Sequence, residues 1–556
     1  LEQHGLRAGF YGHVSAGCLH IRPFMDLQRA GEVARMRAVA EEVRDLVVEF
    51  GGSNSSEHGD GLVRSEFNRQ LFGDALYGAM RGVKRLFDPH GRLNPGKKVD
   101  APAMTEHLRE PALPIPVKLT THFEFAEGMH GHANRCARIG ACRKSADSGT
   151  MCPSFMATRD EQHSTRGRAN ALVKALSAPD PRAALGDQRL HEILDLCLEC
   201  KACKRECPLS IDMAALKAET LAHHYERHGV PLRARAFGNI RRLNRIGSAF
   251  APWSNWLAGL PPARALVRAI GIEVRRPLPV FQRRTLAKWF RSRQRTPLAV
   301  PRANADRKAR GPVVFLADSF TSYTEPWIGR AAIELLEHAG WDVQLASDVC
   351  CGRALISKGL LRQAKAQHAA LIRQLAPAAQ QGIPIVGVEP SCVLTLKDEL
   401  PALAPRDEGA VVIARQTRLV DELLVEAIDD GGLAIDRSRV NGRRILFHGH
   451  CHQKAAGATT ASTALLERLT TGQVVTLDAG CCGMAGSFGF EREHYELSMQ
   501  IGGMRLFPAL NAEATETRIA ATGVSCRQQI AHGTGRHADH PVVLLHNAIR
   551  GTTGTI

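Results

Sequence analysis

Cys197-Leu198-Glu199-Cys200-Lys201-Ala202-Cys203-Lys204-Arg205-Glu206-Cys207-Pro208 is an unbroken C-x2-C-x2-C-x3-C-P run. The spacing lets Cys197, Cys200 and Cys203 converge on one cubane iron–sulfur cluster. Cys207, ahead of a proline, turns toward a second cluster. A chain built around such a run moves electrons one at a time. Disulfide staples and zinc are the competing readings. Fifteen cysteines is an odd number, and a chain of 556 residues does not need staples to build a core. Zinc prefers two separated C-x2-C knuckles to four cysteines within eleven residues.

A looser group lies upstream: Cys136, Cys142 and Cys152, the last followed by Pro153, with Ile139 where a regular run would place a cysteine. Tandem logic assigns Cys152 to Cys197, Cys200 and Cys203, and Cys207 to Cys136 and Cys142. The first set is complete. The second is one sulfur short, which leaves a [3Fe-4S] cluster, a [4Fe-4S] cluster completed by a ligand such as His130 or His132, or an empty site.

A chain of this length contains several domains. It shows no signal peptide and no apolar run long enough to span a membrane. Cysteines at metal-ligand spacing point to a reducing compartment. The chain opens at Leu1 on strand-like sequence and reads as the back part of a longer protein. Its formal charge of +16 is uneven: residues 231–310 hold nineteen Lys and Arg against Glu273 and Asp306, which accounts for the whole excess. The same stretch carries Trp253, Trp256 and Trp289. Basic residues interleaved with aromatic rings suit an anionic membrane surface, and a solvated linker is the plainer reading. No nucleic-acid module accompanies the charge, so nucleic acid is not an expected partner.

Residues 9–24 read as strand, turn and strand. Residues 28–50 form an amphipathic pattern with Val33, Met36, Val39, Val43, Leu46 and Val47 on one face. A second helix is predicted over about 66–87, stopping at Asp88-Pro89. The proline-rich segment 101–120 reads as linker. An internal repeat follows. Phe315-Leu316-Ala317-Asp318-Ser319 parallels Phe447-His448-Gly449-His450-Cys451, Cys350-Cys351-Gly352 parallels Cys481-Cys482-Gly483, and Glu389-Pro390-Ser391-Cys392 parallels Gly523-Val524-Ser525-Cys526. Each repeat starts on an apolar strand, which predicts a pair of α/β halves related by a pseudo-twofold axis. The second keeps four cysteines, Cys451, Cys481, Cys482 and Cys526, and is a candidate cluster or metal site. The first has Ser319 in place of Cys451 and reads more as scaffold. Adjacent cysteines do not easily both ligate one cubane, so Cys481 and Cys482 suit a less regular cluster or a redox thiol pair.

Near the start, His13 and His20 flank a small-residue turn, and a second loop carries Glu57-His58-Gly59-Asp60-Gly61. His13, His20 and Glu57 are candidate ligands for zinc or manganese. His58 is a candidate general base. Arg22, two residues past His20 on the same strand face, is suited to a substrate carboxylate.

These pieces resemble known families. The first hundred residues resemble the C-terminal cap domain of FAD-linked oxidases of the vanillyl-alcohol-oxidase type, which include D-lactate, glycolate and D-2-hydroxyglutarate dehydrogenases. The matching residues are Gly12-His13 through Leu19-His20, Glu57 through Gly61, and Phe87-Asp88-Pro89 through Leu93-Asn94-Pro95-Gly96-Lys97. The middle resembles the ferredoxin-like part of the glycolate oxidase iron–sulfur subunit. The end resembles the tandem Cys-Cys-Gly domain of that subunit and of heterodisulfide reductases. The resemblance implies a multidomain α+β and α/β chain: a cap domain over 1–100, linker over 101–129, a helical 2x[4Fe-4S] ferredoxin-like domain over 130–230, a basic amphipathic arm over 231–310, and a tandem Cys-Cys-Gly domain over 311–556 with repeats at about 311–430 and 441–556. It implies His13, His20 and Glu57 as metal ligands and His58 as the base that takes the hydroxyl proton. It places Asn94, Gly96 and Lys97 near the flavin edge. Cys18 stands where many relatives carry Asn. The FAD-binding half lies upstream of the cap in these enzymes, and this chain shows no equivalent of it.

The leading expectation is a dehydrogenase, dependent on FAD and iron–sulfur clusters, that oxidises a D-2-hydroxy acid. D-lactate stands first, then D-2-hydroxyglutarate or glycolate. A quinone or cytochrome would accept the electrons at the inner face of the cytoplasmic membrane. Two other readings stay open: an electron-transfer subunit serving a separate flavoprotein, and a heterodisulfide-reductase-like thiol enzyme built on Cys481-Cys482.

Overall fold

The structure is a computed structural model that describes residues 1–27, 29, 31–55, 58–108, 119–293, 309–435 and 442–550. It divides into two compact units, Leu1–Pro116 and Val117–Ile556.

The first unit begins with an antiparallel hairpin of β1 (Ala8–His13) and β2 (Cys18–Pro23), in register Tyr11 to His20 and His13 to Cys18. Gly12 is required there, because a Cβ would sit 2.4 Å from the Cys18 carbonyl oxygen. Helices Glu32–Glu49 and Asn68–Phe87 follow, close to the expected 28–50 and 66–87. The second bends at Gly73, whose φ of 75° only glycine adopts without strain. Of the six apolar residues on the face read from the sequence, only Val39 is fully buried, and Leu46 is exposed. The linker expected at 101–129 falls partly outside the described residues.

In the second unit, short helices from Gly128–Asn134 to Met213–His228 enclose an apolar core that includes most of the ferredoxin-type cysteines. The described residues of the basic segment are mostly helical. The segment forms helices Leu232–Gly238, Ile240–Ala249, Trp253–Gly259, Pro261–Ala269 and Leu286–Ser292, and several of its arginines are spent internally. Buried Arg276 donates to the Gly489 carbonyl and to Ser498 Oγ (2.9 Å). Arg233 pairs with Glu493 and Arg293 with Glu337. Charge that looked free in sequence is thus partly neutralised by acids that lie far down the chain.

The last part contains two parallel sheets. The first has order β4-β3-β5-β6, from β3 (Gly311–Leu316), β4 (Trp341–Ala346), β5 (Ile385–Gly387) and β6 (Thr417–Leu419). The second has order β8-β7-β9, from β7 (Ile445–His448), β8 (Val474–Thr476) and β9 (Arg518–Ala521). Shared positions therefore run in the same order, and β6 is extra. One core joins both sheets, with Val313 and Phe315 of β3 and Ile445 and Phe447 of β7 fully buried in it. The cysteines sit beyond the carboxyl ends of the strands, in loops (Cys350, Cys351, Cys481, Cys482) or in the first turn of the following helix (Cys392, Cys451, Cys526), where open α/β sheets bind ligands.

Candidate functional site

In the first unit the hairpin brings His13 and His20 together, with ring centroids 5.1 Å apart. The following loop carries His58 to 5.0 Å from His20 and 6.4 Å from His13. One ring nitrogen from each lies within 4.8 Å of the others, so a divalent cation held by His13 and His20 would have the His58 ring beside it. Glu57 lies outside the described residues. Cys18 Sγ is 3.7 Å from His20 Nε2. Tyr11 stacks on His20 at 5.7 Å, and the Arg22 guanidinium lies 5.2 Å from the Tyr11 ring, so Arg22 borders the same cluster. Periodicity does not bring the two loops together. Asp60, at the end of the His58 loop, accepts from Lys98 Nζ (2.7 Å) and Asn68 Nδ2 (3.0 Å). That ties the histidine loop to the Asn94–Lys97 turn. The turn itself is capped by Asp88, which accepts from the backbones of Arg92 and Leu93. Lys84 and these backbone donors hold the Asp88 carboxyl down at about 2. Asn94 and Gly96 both take positive φ, 44° and 73°.

In the second unit Cys152, Cys197, Cys200 and Cys203 are buried together, each within electrostatic range of others in the set. Burial first, and then neighbouring sulfurs, push the Cys200 and Cys203 thiols well above the usual range. An iron core that neutralises four thiolates would offset that cost, so the donor set fits a [4Fe-4S] cluster. The convergence is local. Glu199 and Lys201, between the cysteines, adopt left-handed φ of 51° and 59°, which turns three thiols to one side. Buried Arg168 donates to Cys152 Sγ (3.4 Å), and the Arg166 backbone N–H donates to Cys142 Sγ (3.4 Å). Cys136 and Cys142 interact, and Cys207 packs against the same core. Ile139 is exposed. His132 Nε2 accepts from the Asp212 backbone (2.9 Å) and His130 Nε2 contacts Ser177 Oγ (3.1 Å), so these nitrogens already have partners.

A salt-bridge clamp that the sequence did not reveal holds this loop to the first cysteine repeat. Glu199 pairs with Arg353 (2.5 Å), just after Cys351-Gly352, and Arg353 also pairs with Glu399. Glu399 binds Lys201, which pairs with Asp398 (2.8 Å). His452, from the second repeat, contacts the Glu199 carbonyl at 3.1 Å. The only signal in the sequence was charged residues placed between cluster cysteines.

In the second repeat the buried thiols lie within interaction range of one another in the order Cys451, Cys481, Cys482 and Cys526, with His448 against Cys482. Cys451 and Cys200 lie close enough to interact, so this site adjoins the complete ferredoxin-type set. In the first repeat Cys350, Cys351 and Cys392 are arranged the same way. There the place of His450 is taken by Asp318, whose carboxylate caps the helix Ser319–Tyr323. Burial and Glu389 push Asp318 up to about 6. A cavity of about 800 Å³ borders cysteines of both repeats and is lined also by Phe237, Tyr323, Arg241 and Phe488.

On the wall of that cavity His494 stands between Asp195 (2.7 Å) and Glu491 (3.0 Å). Burial opposes its charged form, but the two carboxylates outweigh burial and raise its pKa above 6.5. Glu491, despite burial, is pulled down to about 2 by Lys358 and His494. Cations thus already serve this cluster, and it is an ion-pair node. A group with raised folded pKa contributes stability fully below its unfolded value and loses it as pH climbs through the folded one. Thermal unfolding followed from pH 6 upward should therefore show a His494-dependent loss of stability as pH climbs past the ordinary imidazole range. His494→Gln should flatten that limb while lowering stability at pH 6 by about 3 kcal/mol. The depressed carboxylates act oppositely and matter only in strong acid.

Residues 1–98 match the family described as FAD linked oxidases, C-terminal domain. Residues 132–211 match the 4Fe-4S dicluster domain, and residues 318–397 and 445–531 each match the cysteine-rich domain. The chain joins an FAD-linked-oxidase C-terminal domain to a 4Fe-4S dicluster domain and a duplicated cysteine-rich domain. These domains support FAD and iron–sulfur clusters as the cofactors. D-2-hydroxyglutarate dehydrogenase of Escherichia coli (strain K12) is 28% identical over 99% of this chain and 57% of its own length. A subunit of the anaerobic glycerol-3-phosphate dehydrogenase of the same strain is 28% identical over 55% of this chain and 74% of its own. The GlcD subunit of glycolate oxidase, also of that strain, is 34% identical over 21% of this chain and 24% of its own. The chain thus spans little more than half the length of the dehydrogenase relative. No helix among the described residues is long and apolar enough to cross a membrane.

Proposed function

We propose that this chain is the substrate-cap and electron-relay part of an FAD- and iron–sulfur-dependent dehydrogenase of D-2-hydroxy acids. The observation that carries the reading is the convergence of His13, His20 and His58 in a chain that also gathers Cys152, Cys197, Cys200 and Cys203. A pure relay protein has no use for the histidines, and a disulfide reductase has no use for them either. The names of the relatives move D-2-hydroxyglutarate ahead of D-lactate as substrate.

His13 and His20, with Glu57, would hold zinc or manganese, and a cation there would bind the substrate's hydroxyl and carboxylate and acidify the hydroxyl. A base must lie within hydrogen-bond reach of that hydroxyl, and His58 sits beside the same point. Arg22 is the carboxylate partner. Asn94, Gly96 and Lys97 form the turn assigned to the flavin edge. FAD, when bound against that turn, would supply the two-electron acceptor for the hydride. A cluster held by Cys152, Cys197, Cys200 and Cys203 would accept those electrons one at a time. The matching strand orders support a pseudo-twofold pair of repeats.

The test uses the full-length protein, anaerobically, with D-2-hydroxyglutarate, D-lactate and glycolate. One of these should bleach the flavin, and His20→Ala should slow bleaching by at least about a hundredfold. Substrate-independent cluster reduction in wild type, with no flavin bleaching by any hydroxy acid, would reject the reading.

The acceptor reading, a membrane quinone or a cytochrome, draws on an exposed apolar row. Leu243, Ile246 and Phe250 continue into Trp253, Trp256 and Leu257, all exposed, with Arg242 and Arg245 on the same segment. Rings and guanidiniums so mixed suit anionic headgroups. Arg293 is not available for this, being paired with Glu337. Trp253→Ser combined with Trp256→Ser should weaken cosedimentation with vesicles containing one-third anionic lipid by about tenfold or more. Unchanged cosedimentation would remove the membrane contact.

A further inference from the structure

The second cysteine-rich repeat holds one donor that the cysteine pattern does not count. His448 ends β7, 1% exposed, and a ring nitrogen of it lies within 4.8 Å of both Cys482 Sγ and Cys526 Sγ. Its Nδ1 is buried with no hydrogen-bond partner among the described residues. A buried polar atom left unsatisfied is costly, and where one persists in a native site an unrepresented ligand is a standing explanation. We propose that His448 is a nitrogen ligand of the metal centre held by this repeat, alongside Cys482 and Cys526. The proposal rests on the reading that the second repeat binds metal.

The chain contains its own comparison. In the aligned repeats Leu316 ends β3 where His448 ends β7. The repeat that lacks the Cys451 sulfur, with Ser319 in its place, also lacks the imidazole. Leu316 belongs instead to an apolar cluster around Cys351 and Cys392.

The backbone around the site is built for close approach. Gly483, directly after the two cysteines, has φ of 90°, and a Cβ there would meet the Ser498 carbonyl oxygen at 2.2 Å. The Gly483 N–H donates to Cys481 Sγ (3.4 Å), which turns the loop so that Cys482 faces Cys526 and His448. Gly523, three residues before Cys526, leaves room for the His450 ring at 2.3 Å from a would-be Cβ. One imidazole with two thiolates is a borderline-soft set that suits iron or zinc. It also relieves the adjacent-cysteine problem, because Cys482 with His448 and Cys526 can serve one metal ion while Cys481 faces Cys451.

The test uses the full-length protein, purified anaerobically, with and without ¹⁵N-histidine. Metal content is counted for wild type, His448→Gln, His448→Cys and the double variant Cys482→Ser, Cys526→Ser. Pulsed EPR reads histidine nitrogen coupling on an iron centre, and zinc-edge X-ray absorption reads the nitrogen-to-sulfur ratio if the metal lost from the double variant is zinc. A directly bound nitrogen should be present in wild type and absent in both His448 variants. Metal should bind at least about tenfold more weakly in His448→Gln and be retained in His448→Cys, where a thiolate replaces the imidazole. Loss of metal in the double variant, with the nitrogen signal unchanged in His448→Gln or absent from wild type, would overturn the proposal alone. Metal content unchanged in the double variant would overturn the reading beneath it.

Discussion

Cys200→Ser should cost the protein about four irons per chain and halt electron delivery to the second cysteine-rich repeat. Cys200 belongs to the complete four-sulfur set, and it is the member whose sulfur feels Cys451 most strongly. Its loss therefore removes a cluster at the junction of the two modules. The prediction separates from a second one at the incomplete set. Cys136→Ser acts where Ile139 already leaves one corner without sulfur, so it should affect only the other centre. Iron and acid-labile sulfide analysis, with low-temperature EPR before and after dithionite, reads both. Wild type should show two or more reducible clusters, with Cys200→Ser missing one. Stoichiometric zinc without sulfide would instead make the Cys197–Cys207 run a structural metal site.

The parts legible in sequence were those whose chemistry is written in spacing. The C-x2-C-x2-C run constrains its own loop, and Cys152 was assignable because a tandem arrangement needs an outlying fourth sulfur. The cysteine repeat was legible because offsets survive duplication: Cys392 and Cys526 each fall five residues past a strand that ends at Gly387 or Ala521. What could not be read is carried by partners distant in sequence. The Asp60–Lys98 bond joins residues 38 apart, and Glu199–Arg353 joins residues 154 apart. The basic segment shows the same effect. Counting charges gave a net excess over 231–310, but it did not show that Arg233, Arg276 and Arg293 find partners far down the chain. His448 was visible in the aligned strings. Only the fold sets its nitrogen against Cys482 and Cys526.

The clamp on the cluster loop yields the other large effect. Arg353→Ala should destabilise the second unit by about 3–5 kcal/mol, the cost of stripping one partner from a buried ion pair. Glu199, Glu399, Lys201 and Arg353 all have side chains no more than 12% exposed. Removing the guanidinium leaves Glu199 buried without its hydrogen-bonded cation and sets Glu399 on Lys201 alone. Glu199 and Lys201 both hold left-handed backbone between cluster cysteines, a conformation worth about 1–3 kcal/mol of strain per residue that persists only while the surroundings enforce it. The loop should therefore relax when the clamp opens, and iron should pass to a chelator faster than from wild type, well below the unfolding transition. Glu399→Gln should do less, because Asp398 still pairs with Lys201. The discriminating variant is Glu199→Gln with Arg353→Met. Removing both charges together spares the unpaired-carboxylate penalty, so urea melts should recover most of the lost stability. If the clamp also sets the loop geometry, iron release in that double variant stays fast. Recovery of both would show that the charges matter only to each other, and a wild-type melt for Arg353→Ala would show that the pair contributes nothing.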